Sequence, residues 1–218
     1  MKLCFVFSHG WGFDKKIWNI LSKKFPPENC IFLDQGYFSD KELSIPDDGH
    51  TTFIGIGHSL GFIKLLELKV KFSALVAIQG FLNFLGHGQY LYCKRNLELD
   101  VMKRHFEIYP FKTLQSFYAK CGIDGPNITA LDKELLRKDL NQLSLKFELP
   151  KEVPILVLAS KDDVVVPPNL VRDNFKNAKV FFHDKGAHGI SSLNCDFIFN
   201  KIMGFLDEIK EKGNPAKI

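Results

Sequence analysis

The sequence predicts an α/β fold: a mostly parallel sheet of about six strands, flanked by helices and interrupted by one long helical insertion. Three observations lead there. Short apolar runs rich in Val, Ile and Phe alternate with helix-compatible stretches, which is how strands covered on both faces of a parallel sheet look. The alternation breaks once, over residues 81–149, where helical periodicity runs on without a convincing strand for longer than an ordinary crossover needs. Finally, 218 residues, 45% of them hydrophobic and 25% charged, suit a single domain with a substantial core.

In chain order, Leu3–Ser8 is an apolar first strand, a helix is expected over Lys16–Lys24, and the second strand follows at Cys30–Asp34. The third strand, Thr52–Ile56, feeds a turn and then the apolar helical run Leu60–Leu68. Ala74–Gln79 is the fourth strand, and the insertion after it is a candidate lid over an active site. Ile155–Ser160, a helix over Asn169–Phe175, Lys179–His183 and a closing helix over Cys195–Lys210 complete the pattern. There is no internal repeat or low-complexity tract, and Gly213–Ile218 should fray.

The chemistry begins at the turn after the third strand. Gly57, His58, Ser59, Leu60 and Gly61 spell GxSxG between a strand and a helix, the setting in which a serine is pushed out of the sheet edge on a sharp turn. Alone, this pentapeptide is a weak signal. A second segment strengthens it: His9, Gly10, Trp11 and Gly12 directly follow the first strand, where the N–H of Trp11 can join that of Leu60 in an oxyanion hole. A third is the tail, where Asp162 and Asp163 follow the fifth strand and His188 follows the sixth on the small-residue loop Gly186, Ala187, His188, Gly189. The order nucleophile, acid, histidine is that of the α/β-hydrolases and differs from the orders of chymotrypsin and subtilisin.

Composition excludes several alternatives. The apolar run at the N-terminus is too short for a signal peptide, and no segment approaches the roughly 20 apolar residues that span a bilayer. Five cysteines, odd in number and without CxxC spacing, are read as free thiols, with Cys4 and Cys30 as small hydrophobes in strands; a reducing cytoplasm is the expected location. A net charge of +4 without a basic stripe argues against a nucleic-acid partner. No pair of histidines has HExxH or HxH spacing, so neither metal nor cofactor is expected. Of the other histidines, His9 is expected to organise the oxyanion turn, and His58 to pack or to line a pocket.

Taken together, His9–Gly12 with Trp18, GHSLG at Gly57–Gly61, Asp163–Pro167 and Gly186–His188 resemble the pimeloyl-acyl-carrier-protein methyl ester carboxylesterases of biotin synthesis, in the α/β-hydrolase superfamily. The resemblance covers the core on both sides of the insertion and, faintly, Leu114–Gly122 within it. It implies an α/β-hydrolase fold, no cofactor, and cleavage of a methyl ester carried on an acidic acyl-carrier protein. It also implies Ser59 as nucleophile, His188 as general base and Asp163 as the orienting acid. Asp163 is preferred to Asp162 because such hydrolases carry the acid four residues before the proline of a DxxxP turn, here Pro167. There are two departures from the family. The chain begins almost at the strand entering the oxyanion turn, without the usual two antiparallel strands before it, and Phe62 stands where many relatives carry a glycine.

The insertion bears on substrate. From Phe81 to Gly122 it holds six basic residues, Lys94, Arg95, Lys103, Arg104, Lys112 and Lys120, against three acids, Glu98, Asp100 and Glu107. Arg95 and Arg104 are therefore candidate contacts for an acidic carrier, the other reading being a solvated helical surface. Phe81 and Phe84 follow the fourth strand, where an acyl pocket can begin or where they can simply be core. The expected activity is serine ester hydrolysis, with a general short-acyl esterase or thioesterase, or a hydrolase-fold protein that binds without turnover, as the alternatives.

Overall fold

The computed structural model describes residues 2–46 and 48–211, so the stretch Gly213–Ile218 lies outside it. Six strands form one all-parallel sheet: β1 (Lys2–Ser8), β2 (Cys30–Leu33), β3 (Thr51–His58), β4 (Phe72–Ile78), β5 (Ile155–Ser160) and β6 (Lys179–His183). Their order is β2-β1-β3-β4-β5-β6. The helices are α1 (Leu60–Leu66), α2 (Gln89–Ile108), α3 (Pro110–Cys121), α4 (Lys133–Gln142), α5 (Pro168–Asn174), α6 (Ile190–Leu193) and α7 (Cys195–Glu211). Among the described residues, no helix is long and apolar enough to cross a membrane.

The central strands are apolar on both faces because both are covered. Phe5, Val6 and Phe7 of β1, Ile54 and Ile56 of β3, and the run Ala74–Ile78 of β4 are all buried. α1 packs on β1, β3 and β4, and α5 and α7 pack on β5. The expected helix over Lys16–Lys24 is instead two short 3₁₀ turns, Lys15–Trp18 and Leu21–Lys24. Three residues per turn align Trp18 with Leu21, and both are fully buried. Asp14 starts the first turn by accepting from the N–H of Lys16 at 3.0 Å, and Pro26 and Pro27 follow the second. Cys30, expected to be a buried thiol, is only partly covered because β2 is an edge strand.

Between β4 and β5 the chain forms α2, α3 and α4. Pro110 opens α3 at its first turn, where no N–H is needed, and so separates it from α2. Asp132 caps α4 by accepting from the N–H of Leu135 at 2.8 Å. The two ends of this excursion meet in an antiparallel bridge between Asn83 and Lys146.

Register delivers the motif residues to one rim. Ser8 stands opposite Gly57 in the β1–β3 pair, His58 opposite Ile78, Ile78 opposite Leu158, and Ser160 opposite His183. The C-terminal ends of five adjacent strands therefore lie side by side. The strand order reverses between β1 and β3, and at such a reversal the loops diverge and leave a crevice. His9–Gly12 and Ser59 leave the sheet at that reversal.

Candidate active site

Ser59 connects β3 to α1 with φ 53° and ψ −124°, a conformation that a side chain rarely tolerates. Two close approaches explain why the turn carries glycines. A Cβ on Gly61 would lie 2.2 Å from the carbonyl oxygen of Ser8, and one on Gly10 would lie 2.9 Å from Cβ of Ser59. The first lets α1 begin directly against the end of β1; the second lets the His9–Gly12 turn press on the serine. Leu60 is the first residue of α1, so its N–H has no carbonyl within the helix to take it.

The His9–Gly12 turn is fixed from several sides. The His9 ring bridges Nδ1 to the Gly10 carbonyl at 2.9 Å and accepts at Nε2 from the Gln35 N–H at 3.0 Å, so it carries its proton on Nδ1 and serves the loop's shape. The Trp11 indole donates to the Leu136 carbonyl at 2.9 Å, and the Tyr118 hydroxyl donates to the Gly12 carbonyl at 2.5 Å. These two bonds pin the turn to α4 and α3.

His188 is fully buried, and its Nδ1 lies 2.8 Å from Oδ2 of Asp163. The other carboxylate oxygen, Oδ1, accepts from the N–H groups of Val165 at 2.7 Å and Val166 at 3.0 Å. An acceptor on Nδ1 places the imidazole proton there and leaves a lone pair on Nε2. That Nε2 is buried and has no hydrogen-bond partner among the described residues. Such a ring, held at one nitrogen and free at the other, is suited to take a proton.

The neighbouring Asp162 serves the same loop differently. Its carboxylate accepts from the backbone N–H of Ala187 at 2.8 Å and of Gly186 at 3.4 Å, and from the Ser160 hydroxyl. Desolvation raises the pKa of this carboxyl, but the hydrogen bonds outweigh it and the net shift is downward. One carboxylate therefore orients the imidazole while the other anchors the backbone that carries it.

Two further residues support the loop: Gln79, for which the sequence carries no expectation, and His58, which is expected to pack or to line a pocket and is fully buried. Gln79, at φ 50° just after β4, accepts from the Ser160 N–H at 3.1 Å and donates to the Ala187 carbonyl, so it braces the histidine loop against the sheet. His58 lies at the His188 backbone, its Nε2 2.8 Å from that carbonyl, with the two rings 4.9 Å apart. Burial and then the neighbouring His188 pull the pKa of His58 down to about 3, so it is a neutral donor to that carbonyl. A polar residue placed after a strand was the only sequence signal for Gln79, and many such residues are surface.

A cavity of about 280 Å³ opens beside Ser59. Trp11, Leu60, Phe81, Phe84 and Arg95 share its wall, and Val164 and Val165 bring in the loop that carries Asp163. Arg104, by contrast, is exposed and does not line it. Arg95 is 7% exposed and faces the cavity, whereas the reading as a carrier contact needs it at the solvent surface.

No protein-family model and no curated protein matches the sequence. Solved structures do. An esterase from Exiguobacterium antarcticum is similar with a TM-score of 0.72 at 14% identity, over 95% of this chain and 92% of that one. MenH from S. aureus is similar at 0.67 and 16%, over 95% and 94%. A lipase-esterase related protein from Clostridium acetobutylicum ATCC 824 is similar at 0.67 and 17%, over 93% and 94%. At such identities the likeness speaks for architecture and leaves the chemistry to the site. The chain has the α/β-hydrolase fold.

Proposed function

We propose that this protein is a serine carboxylic ester hydrolase. Ser59 attacks the ester carbonyl while His188 accepts its proton at Nε2, and Asp163 holds the imidazole and balances the imidazolium that forms. The N–H groups of Trp11 and Leu60 stabilise the oxyanion. His188 then returns the proton to the leaving alkoxide, and water, activated by the same ring, frees the acyl group from Ser59. The observation that carries this reading is the one-sided bonding of His188: Nδ1 on Asp163, Nε2 buried and unpartnered at the rim where Ser59 emerges. Residues 81–149 act as a lid over the cavity.

The substrate to which the motifs point is the methyl ester of pimeloyl-carrier protein, met in the cytoplasm. Exposed Lys94, Arg104 and Lys112 on α2 and α3 would receive the acidic carrier. A second reading, hydrolysis of free short-acyl esters, is favoured by the burial of Arg95 in the cavity wall, which removes one of the two arginines from the docking face. A panel of the carrier-bound methyl ester, free methyl esters and thioesters separates them. Turnover of at least one ester that disappears in Ser59→Ala supports hydrolysis; no turnover of any overturns it. Among esters, a kcat/KM that favours the carrier-bound methyl ester selects the first reading, and no preference for it selects the second.

A further inference from the structure

Arg95 is a buried cation with no anionic partner among the described residues. Its guanidinium is held in place three ways: Nε donates to the Phe84 carbonyl at 2.6 Å, Nη2 donates to the Val165 carbonyl at 3.0 Å, and the Phe84 ring lies 4.3 Å from Cζ. Neither hydrogen bond uses Nη1. The carboxylates whose charge reaches it are Glu98, one turn along α2, and Asp163. Among the described residues neither forms an ion pair with it, and Asp163 is engaged by His188. Burial lowers the pKa of Arg95, as expected of a charge taken out of water without compensation.

A buried charge is costly unless it is paired, and two carbonyl oxygens compensate a guanidinium only in part. The same cavity wall carries Lys120 and a single acid, the exposed Glu98, while Ser59 lies on that wall as well. An arginine fixed at three points, with donors left over, is a preorganised receptor for a planar carboxylate.

We propose that the cavity selects acyl groups ending in a second, ionised carboxylate, so that the substrates are half-esters of short dicarboxylic acids, with the ester at Ser59 and the free carboxylate at Arg95. This rests on the second reading above, hydrolysis of free esters, because in a carrier-bound methyl ester the far end of the acyl chain is a neutral thioester. The reaction takes up water at the ester and releases an alcohol and the dicarboxylate; the carboxylate at Arg95 is a spectator that fixes orientation. A neutral ester of equal length leaves the guanidinium without its counter-charge.

The test compares half methyl esters of dicarboxylic acids of four to eight carbons with neutral methyl esters of matched length. A charge-assisted pair predicts a kcat/KM ratio of about 10- to 100-fold in favour of the half-ester at its best length, carried mainly by KM. In Arg95→Gln that ratio should collapse towards one, and in Arg95→Lys part of it should survive. Because Arg95 also ties α2 to the Val165 loop, both rates can fall in either variant, so the ratio is what decides. A wild-type ratio near one, or an Arg95→Gln variant that keeps the wild-type ratio, overturns the proposal. If wild type turns over no ester at all, the hydrolase reading fails, and calorimetric titration of Ser59→Ala with dicarboxylates and matched monocarboxylates decides the anion subsite. Preferential dicarboxylate binding that is lost in Ser59→Ala/Arg95→Gln supports it, and equal binding of the two overturns it.

Discussion

At the C-terminal rim of the sheet, Ser59, Gln79 and Ala187 all sit at positive φ; the N–H groups of Ser59 and Gln79 donate to the carbonyls of Ile78 and Leu158 on the adjacent strands, and Ala187 is held by the Asp162 carboxylate and the Gln79 amide. The covering helices α2, α3 and α4 are held otherwise. They meet the rim through individual side-chain bonds: Trp11 to Leu136, Tyr118 to Gly12, Arg95 to Val165, and a Tyr37–Asp139–Lys64 chain that joins α1 to α4. On these helices Tyr90, Leu97 and Ile108 are exposed and do not line the cavity. Strain on the rim persists because the sheet register over-determines it, which suits groups that must stay within tenths of an ångström of a reacting geometry. On the proposed reading, the rim holds the reacting groups and the cover selects the acyl group. Rim variants should break the chemistry, and cover variants should change selection.

The largest effect is expected at the rim itself. Ser59→Ala or His188→Ala should reduce ester turnover by about 10³-fold or more, because the two act as a unit. Thermal unfolding of both should stay near wild type. Full activity in Ser59→Ala would remove the mechanism.

The two adjacent carboxylates sharpen the comparison within the rim. Asp163→Asn replaces the acceptor of the Nδ1 proton and should cost about 10²- to 10⁴-fold in kcat. Asp162→Asn loosens only the backbone of Gly186 and Ala187, and the loss should be nearer tenfold. Steady-state rates of the two variants decide it, and a reversed order would make Asp162 the acid.

His58 gives the rim a pH signature in stability. Folded, it stays neutral down to about pH 3, whereas an unfolded histidine takes up a proton below about pH 6.5. Unfolding thus binds a proton in this window, so stability is lost as pH falls through it, by about 1.4 kcal/mol per pH unit for this one group. Denaturant unfolding from about pH 7 to about pH 4 should show this slope reduced by one proton in His58→Gln. Equal slopes in the two proteins would contradict it.

The smallest effect belongs to the cover. Tyr118→Phe removes the bond to the Gly12 carbonyl, worth about 1 kcal/mol, and should raise KM a few-fold with little change in kcat. A fall in kcat alone would mean that Tyr118 acts on the rim rather than on access.

The same contrast governs what the sequence discloses. Strands buried on both faces read directly as apolar runs, and β5 and β6 begin and end where those runs do. That Ser59, Asp163 and His188 come to one rim is legible because each follows a strand on a short loop, and parallel register carries the order of the loops into space. The sequence predicts one helix over Lys16–Lys24 where two 3₁₀ turns stand, because three- and four-residue spacings of apolar residues overlap over so short a run. Gln79 was missed because its partners, Ser160 and Ala187, are backbone groups far along the chain and leave no pattern. In the sequence Arg95 and Arg104 are equivalent candidates for a carrier contact within a basic insertion; only the packing of α2 against Phe84 and Val165 separates Arg95 from Arg104.

The central claim is that Ser59 is a nucleophile activated by His188, and covalent labelling with a fluorophosphonate tests it without any assumption about substrate. The account predicts a single stoichiometric adduct, mapped by peptide mass to Ser59, absent in Ser59→Ala and formed at least about 10²-fold more slowly in His188→Ala. An unlabelled protein, or an adduct on another residue, would contradict it.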